Sequence, residues 1–161
     1  MHGGHPKEIH IGDIIIGESC INIGSFITRE YDENIGTNIN EWKQIAWYEE
    51  NDIENEKISA DKQLVETIEK VINRNKRVIK GTIGSSDIWN KEVDRIKWLV
   101  ENLDTKCEDM ETYAVYKIAN QNNIPAIGIR IISNSQINSE KYDKSLAKNL
   151  QIKILEIIKE I

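Results

Sequence analysis

The sequence predicts an α/β fold, a mixed central sheet flanked by helices. Through the second half of the chain, short β-branched runs alternate with segments whose apolar residues recur at helical spacing. The stretch from Cys107 to Asn134 reads as strand, helix, strand. It opens on Cys107-Glu108-Asp109-Met110-Glu111 and closes on Arg130-Ile131-Ile132-Ser133-Asn134. Ligands of open α/β sheets collect beyond the carboxyl ends of strands. Two such strand ends are therefore expected to present Glu111, Arg130, Ser133 and Asn134 together. The residues by themselves equally allow a plain reading, an acidic helix N-terminus favoured by the helix dipole and then an ordinary core strand.

Ile9 to Glu18 is expected to be a strand because Ile9, Ile11, Ile14, Ile15 and Ile16 are β-branched, with a bend or bulge at Gly12-Asp13. Cys20 to Thr28 suggests a second, Gly-interrupted strand. Residues 29–60 read as polar and irregular, with turns at Asp32-Glu33-Asn34 and Glu49-Glu50-Asn51-Asp52. There Trp42, Ile45 and Ala46 stand at i, i+3 and i+4, the spacing of a short helix, with Trp47 off its apolar face. Ser59 or Asp61 caps a helix to about Asn73, with Leu64, Ile68 and Ile72 on one face. Arg77 to Thr82 is a strand. Asn90 to Leu103 is a helix with Val93, Ile96, Leu99 and Val100 inward. Thr105 to Met110 is a short strand, and Glu111 to Asn122 a helix. Ala126 to Ser133 is a strand, and an amphipathic helix from about Glu140 to Ile161 closes the chain. Internal repeats and low-complexity tracts are absent from the sequence.

The chain of 161 residues reads as one domain, residues 1–161, long enough to bury a core. Hydrophobic residues make up 39% and charged residues 30%, as in soluble globular proteins. Lys+Arg number 21 against 27 Asp+Glu, a net charge of −6, which argues against a nucleic-acid or anionic-membrane footprint. A small anionic substrate stays open, since a pocket can oppose the global charge. Cys20 and Cys107, few and far apart, read as reduced thiols of a cytoplasmic protein. No stretch has the apolar length of a membrane span, and the polar His2-Gly3-Gly4-His5 does not resemble a secretory signal.

The motifs resemble those of the nucleoside phosphorylase / methylthioadenosine–adenosylhomocysteine nucleosidase superfamily. There a strand ends in a Glu-Met-Glu-type motif and a later one in Arg-x-Ile-Ser-Asp. Here they read Asp109-Met110-Glu111 and Arg130-Ile131-Ile132-Ser133-Asn134. Gly84-Ser85-Ser86-Asp87-Ile88-Trp89 resembles the family's Ser-Gly-Asp-x-Phe segment. Gly3-Gly4 and then Ile11-Gly12-Asp13-Ile14-Ile15-Ile16 resemble its Gly-Gly and Gly-Asp-hydrophobic strand. The resemblance spans nearly the whole chain in the right order. It implies a phosphorylase/hydrolase-like sheet lacking the first strands, because the family domain is longer and the part without a counterpart is N-terminal. A fragment, a truncated reading frame and a shortened relative all fit. A sheet without its first strands would expose an edge and favour pairing with another chain.

By that resemblance the chemistry is cleavage of the N-glycosidic bond of a purine nucleoside, by a nucleosidase or a phosphorylase. Glu111 would accept from the ribose 2′- and 3′-hydroxyls and oppose the charge of a ribosyl cation-like transition state. Met110 would pack on the sugar and Trp89 stack on the base; their plain alternatives are a core Met and a Trp packed at a helix start. Asp109 belongs to the same substrate-binding motif. Gly3 and Gly4 would let backbone approach ribose or phosphate. Arg130 and Ser133 would orient the loop bearing Asn134, with a structural ion pair the plainer role for Arg130. Asp87 is a turn or cap residue, or shapes the site. Asn134 stands where nucleosidases use an Asp that protonates purine N7. An amide cannot be a general acid but can hydrogen-bond N7 or a 6-oxo group. Three consequences are open: a preference for 6-oxopurines, slow turnover, or binding without cleavage.

The spacing of His2, His5 and His10 matches no strong ligand pattern, so no metal is expected. No cofactor is implied, only phosphate as co-substrate if the protein is a phosphorylase. A homo-oligomer is expected by resemblance, with the Trp42–Trp47 segment and the last helix as candidate contacts. The alternatives to an enzyme are a nucleoside-binding or storage-type relative and an inactive fragment.

Overall fold

The computed structural model describes residues 3–24, 26–32, 35–44, 57–72 and 77–159. In chain order the elements are β1 (Gly3–Gly4), β2 (Ile14–Asn22), β3 (Phe26–Asp32), β4 (Ile35–Gln44), β5 (Ile58–Ser59), α1 (Lys62–Ile72), β6 (Val78–Ser85), α2 (Val93–Leu103), β7 (Thr105–Asp109), α3 (Thr112–Gln121), β8 (Gly128–Ile131) and α4 (Ser145–Ile158).

The sheet is mixed and flanked by helices, as the sequence predicts. β2 and β6 run parallel at its centre, Ile14 opposite Val78 and Asn22 opposite Ser85, with a register shift between Gly17 and Ser19. β7 lies parallel to β6, and β1 antiparallel to β7, with Gly3 opposite Glu108. β5 and β8 pair antiparallel with β2, giving a six-stranded order β1-β7-β6-β2-β5 with β8 beside β2. Beyond β8 the chain reaches round to β1, where Gly3 bridges Asn134 and the Gly4 N–H donates to the Asn134 carbonyl at 2.9 Å. The sheet thus curls until its far side meets its first strand.

Ile14, Ile15, Ile16, Ile83, Ile129 and Ile132 fill the core inside that curl, and Val65, Ile68 and Ile72 of α1 pack against it. Asp61 caps α1 by accepting the Leu64 N–H at 2.9 Å, as predicted. Tyr116 ties α3 to the sheet. Its hydroxyl donates to the Gly17 carbonyl at 2.6 Å and accepts the Gly128 N–H at 2.7 Å, and burial pushes its pKa up to about 12.

Several expectations are corrected. The strand expected from Ile9 begins at Ile14, because Gly12 turns the chain at φ +90°. Ile9 reaches the core from a turn, and the bulge lies after Gly17, not at Gly12-Asp13. The predicted second strand is partly absorbed into β2. The region expected to be irregular holds the β3–β4 hairpin, with Arg29 opposite Asn38 and Asp32 opposite Ile35. Trp42 therefore lies on a strand, not a helix, in a segment rich in the β-formers Ile and Thr. Glu33, Asn34, Ile45, Ala46, Trp47 and the predicted turn from Glu49 to Asp52 lie outside the described residues. α2 starts at Val93 rather than Asn90, which leaves Val93 39% exposed on the open first turn instead of inward. Finally, β8 runs antiparallel to β2 while β7 is parallel to the sheet's centre, so the two strands do not end on one edge. The curl, not a shared edge, brings Asn134 toward β7.

Candidate functional site

β7 ends at Asp109, and α3 begins three residues later with Glu111 at its N-cap position. The turn between them is held by Asp109, whose side chain is fully buried. Its carboxylate accepts the Glu111 N–H at 3.2 Å, the Thr112 N–H at 3.1 Å and the Thr112 hydroxyl. Arg130 Nε donates to Asp109 Oδ2 at 2.6 Å, and Arg130 Nη2 to the Thr112 hydroxyl at 2.5 Å. Burial works to raise the Asp109 pKa, but Arg130, Thr112 and Ser85 together hold it below the ordinary range. With its oxygens so engaged, Asp109 positions the turn. The same residue also borders the small cavity beside Trp89 and Met110. Arg130 makes the structural ion pair that was its plainer reading.

Asn134 is 2% exposed, and among the described residues its Nδ2 has no hydrogen-bond partner. The Ser133 hydroxyl donates to Asn134 Oδ1 at 3.3 Å, which turns Nδ2 toward Gly3. A Cβ on Gly3 would stand 3.5 Å from that nitrogen and 3.6 Å from Glu108 Oε1. Gly4 differs. A Cβ there would meet Ile132 at 3.1 Å and Ile9 at 3.2 Å, so it is a close-packing residue facing the core rather than a ligand-facing one.

A small cavity of about 10 Å³ is lined by Gly3, Ile88, Trp89, Glu108, Asp109 and Met110. A larger open hollow of about 210 Å³ shares Ile88 and Met110 and adds Asn22, Ser86, Asp87 and Tyr113. Met110 is 38% exposed and Trp89 half-buried, with the Lys91 ammonium 5.5 Å from the Trp89 ring centroid. Glu111 is exposed, and its carboxylate accepts the Met110 N–H at 3.2 Å. Gly3, Trp89 and Met110 thus line one cavity, Asn134 stands against Gly3 with Ser133 bonded to it, Arg130 holds Asp109, and Glu111 lies in the same turn as Met110.

Sequence reasoning did not single out Glu108 or Asn90, and weighed His5 only as a metal ligand. Glu108 is 4% exposed and accepts from the Asn90 N–H at 3.0 Å and from Asn90 Nδ2 at 2.5 Å. His5 Nε2 lies 3.4 Å from Glu108 Oε2, while its Nδ1 bonds the Thr105 hydroxyl at 2.8 Å. The available signal was a second acidic residue inside the predicted strand. Among the described residues there is no group of three or more His, Cys, Asp or Glu arranged to hold a metal ion. His10 pairs with Glu140 at 2.7 Å. Cys20 and Cys107 are free, and burial pushes both thiols up, which keeps them unreactive. No helix among the described residues is long and apolar enough to cross a membrane.

A curled mixed sheet, helices around it and a polar pocket where its ends meet define a nucleoside phosphorylase-like fold. Residues 2–159 match the family model described as the phosphorylase superfamily, and the chain belongs to that family. A futalosine hydrolase mutant of Helicobacter pylori superposes with a TM-score of 0.74 at 17% identity, covering 100% of this chain and 66% of that one. A putative 5'-methylthioadenosine/S-adenosylhomocysteine nucleosidase from Francisella philomiragia gives 0.74 at 18% identity, covering 100% and 67%. The Neisseria meningitidis 5'-methylthioadenosine/S-adenosylhomocysteine nucleosidase in complex with methylthio-immucillin-A gives 0.69 at 19% identity, covering 99% and 67%. The chain thus spans 66% of the length of the futalosine hydrolase it resembles. No curated protein matches it.

Proposed function

We propose that residues 1–161 form the part of a single nucleosidase-type domain that cleaves the N-glycosidic bond of a purine nucleoside. The observation that carries this reading is Asn134, a buried amide whose Nδ2 is unpartnered and turned toward Gly3, beside a cavity walled by Trp89 and Met110. A buried donor left unsatisfied costs about 1–3 kcal/mol, a cost that a ligand acceptor removes.

In this reading Trp89 stacks on the base and Met110 packs on the sugar. Glu111, at the rim, accepts from the ribose hydroxyls and opposes charge developing at the anomeric carbon. Asp109 and Arg130 hold the turn that places Met110 and Glu111, and Ser133 orients Asn134. Asn134 donates a hydrogen bond to the departing base but transfers no proton. Turnover is accordingly slow, because a placed general acid contributes roughly 10²- to 10⁴-fold. The named solved relatives are hydrolases and nucleosidases, which favours water over phosphate as acceptor.

Free-base release from methylthioadenosine, adenosylhomocysteine, adenosine and inosine, each with and without phosphate, tests the proposal. Slow release that needs no phosphate is the expected result. Release only with phosphate makes the protein a phosphorylase. Release from none of them favours the second reading, which Asn134 itself supports, of a relative that binds nucleosides without cleaving them.

A further inference from the structure

Glu108 is a buried carboxylate that this mechanism leaves unused. Gly3 pairs with Glu108 on one side and with Asn134 on the other, so Glu108 and Asn134 flank a residue without a side chain. Residues paired across neighbouring strands project to the same face. The space a Gly3 Cβ would fill is 3.5 Å from Asn134 Nδ2 and 3.6 Å from Glu108 Oε1, and both side chains lean over it.

We propose that Glu108 is a specificity-determining residue that, with Asn134, reads one edge of the base and selects a 6-aminopurine over a 6-oxopurine. The proposal rests on Asn134 being the base-facing residue. Ser133 occupies Asn134 Oδ1, so the amide offers a donor. The neighbours of Glu108 are the Asn90 N–H, Asn90 Nδ2 and His5, so its remaining capacity is that of an acceptor. A 6-aminopurine presents an acceptor, N7, beside a donor, the N6 amino group, whereas a 6-oxopurine presents two acceptors there. The donor–acceptor pair over Gly3 matches the first edge. Against the second it sets a carbonyl oxygen on a carboxylate. Asn134 alone accepts either base, so the 6-oxopurine preference open from sequence is reversed by its neighbour. The cavity that Gly3 and Glu108 line with Trp89 and Met110 holds about 10 Å³, room for one water. A base therefore arrives edge-on beside Trp89 and displaces Ile88 or Met110, the exposed members of the lining.

The test is calorimetric titration of the purified chain with adenine, with purine lacking a 6-substituent, and with hypoxanthine. Adenine is expected to bind at least about ten-fold tighter than either. In Glu108→Gln, checked for an intact fold by circular dichroism, the adenine-to-hypoxanthine ratio is expected to fall to within about three-fold, since an amide can donate as well as accept. Equal binding of adenine and purine, tighter binding of hypoxanthine, an unchanged ratio in the folded variant, or no binding of any base overturns the proposal. If Glu108→Gln does not fold, the wild-type series of the three bases decides it. Discrimination without base release from any nucleoside supports the edge reading and overturns cleavage. Release whose base selectivity ignores Glu108→Gln does the reverse.

Discussion

Asp109, fully buried, and Arg130, partly buried, form an ion pair, Nε to Oδ2 at 2.6 Å, that joins the end of β7 to β8 across the curl of the sheet. The two residues open the motifs by which the chain resembles its family, and their side chains hold the turn that carries Met110 and Glu111. In the proposed mechanism, chemistry at the rim depends on this pair through geometry.

Asp109→Asn leaves Arg130 partly buried without a counter-charge. The expected loss is about 3–5 kcal/mol of folding free energy, the range for breaking one side of a buried pair. The sign with pH follows from the lowered Asp109 pKa. The stability it contributes is fully present above the ordinary aspartate value of about 3.9 and is lost as pH falls through the lower folded value. Urea unfolding at pH 6 and pH 3.5 checks both. The wild-type chain should lose more stability on acidification than Asp109→Asn does.

Glu111→Ala should behave oppositely. Glu111 is exposed and makes no side-chain capping bond to α3. Its removal should change stability by no more than about 0.5 kcal/mol. Nucleoside binding should weaken by about 100-fold, because two ribose hydroxyls lose a charged acceptor. Calorimetric titration with methylthioadenosine beside a thermal melt measures the two effects separately. Unchanged binding would remove Glu111 from the site.

Asn134→Asp places a proton donor at the buried position beside Gly3. Placed near Glu108 and out of water, the new carboxyl holds its proton more tightly than an ordinary aspartate. Base release should rise by roughly 10²-fold or more and should then decline as pH increases and the carboxyl ionises. Initial rates of adenine release from methylthioadenosine between about pH 5 and 8 give both quantities. An unchanged rate would show that a proton at this position does not limit the reaction.

Local chemistry was legible. The Asp61 cap and most of the predicted Leu64–Ile68–Ile72 face of α1, where Val65 rather than Leu64 is buried, follow from side chains one or two turns apart, as does the αβ alternation after Lys62. Gly12 was read as a bend, but the extent of the turn depended on Ile9 packing into a core built from distant strands. The β3–β4 hairpin was hidden because Asn, Glu and Lys interrupt its β-branched residues. Asn134 and Arg130 could be picked out by motif. Glu108 could not, because the burial of one carboxylate depends on Asn90 and His5 arriving from other segments. The antiparallel course of β8 was likewise invisible, since strand direction depends on the curl of the whole sheet.

Gly3 and Gly4 look interchangeable in sequence, and the structure separates them. Alanine at Gly3 would meet Asn134 and Glu108 at 3.5–3.6 Å, an ordinary contact, in a backbone without positive φ. Gly3→Ala should therefore fold with a stability change within about 1 kcal/mol, while its methyl occupies the space between donor and acceptor. Binding of adenine should fall at least about ten-fold. Alanine at Gly4 would press on Ile132 and Ile9 at 3.1–3.2 Å, where the core has to give way. Gly4→Ala should lose about 1–3 kcal/mol through overpacking. Urea unfolding and calorimetric titration of both variants separate a ligand slot from a packing constraint. A Gly3→Ala protein that is stable and still binds adenine as the wild type does would mean that no base enters between Asn134 and Glu108.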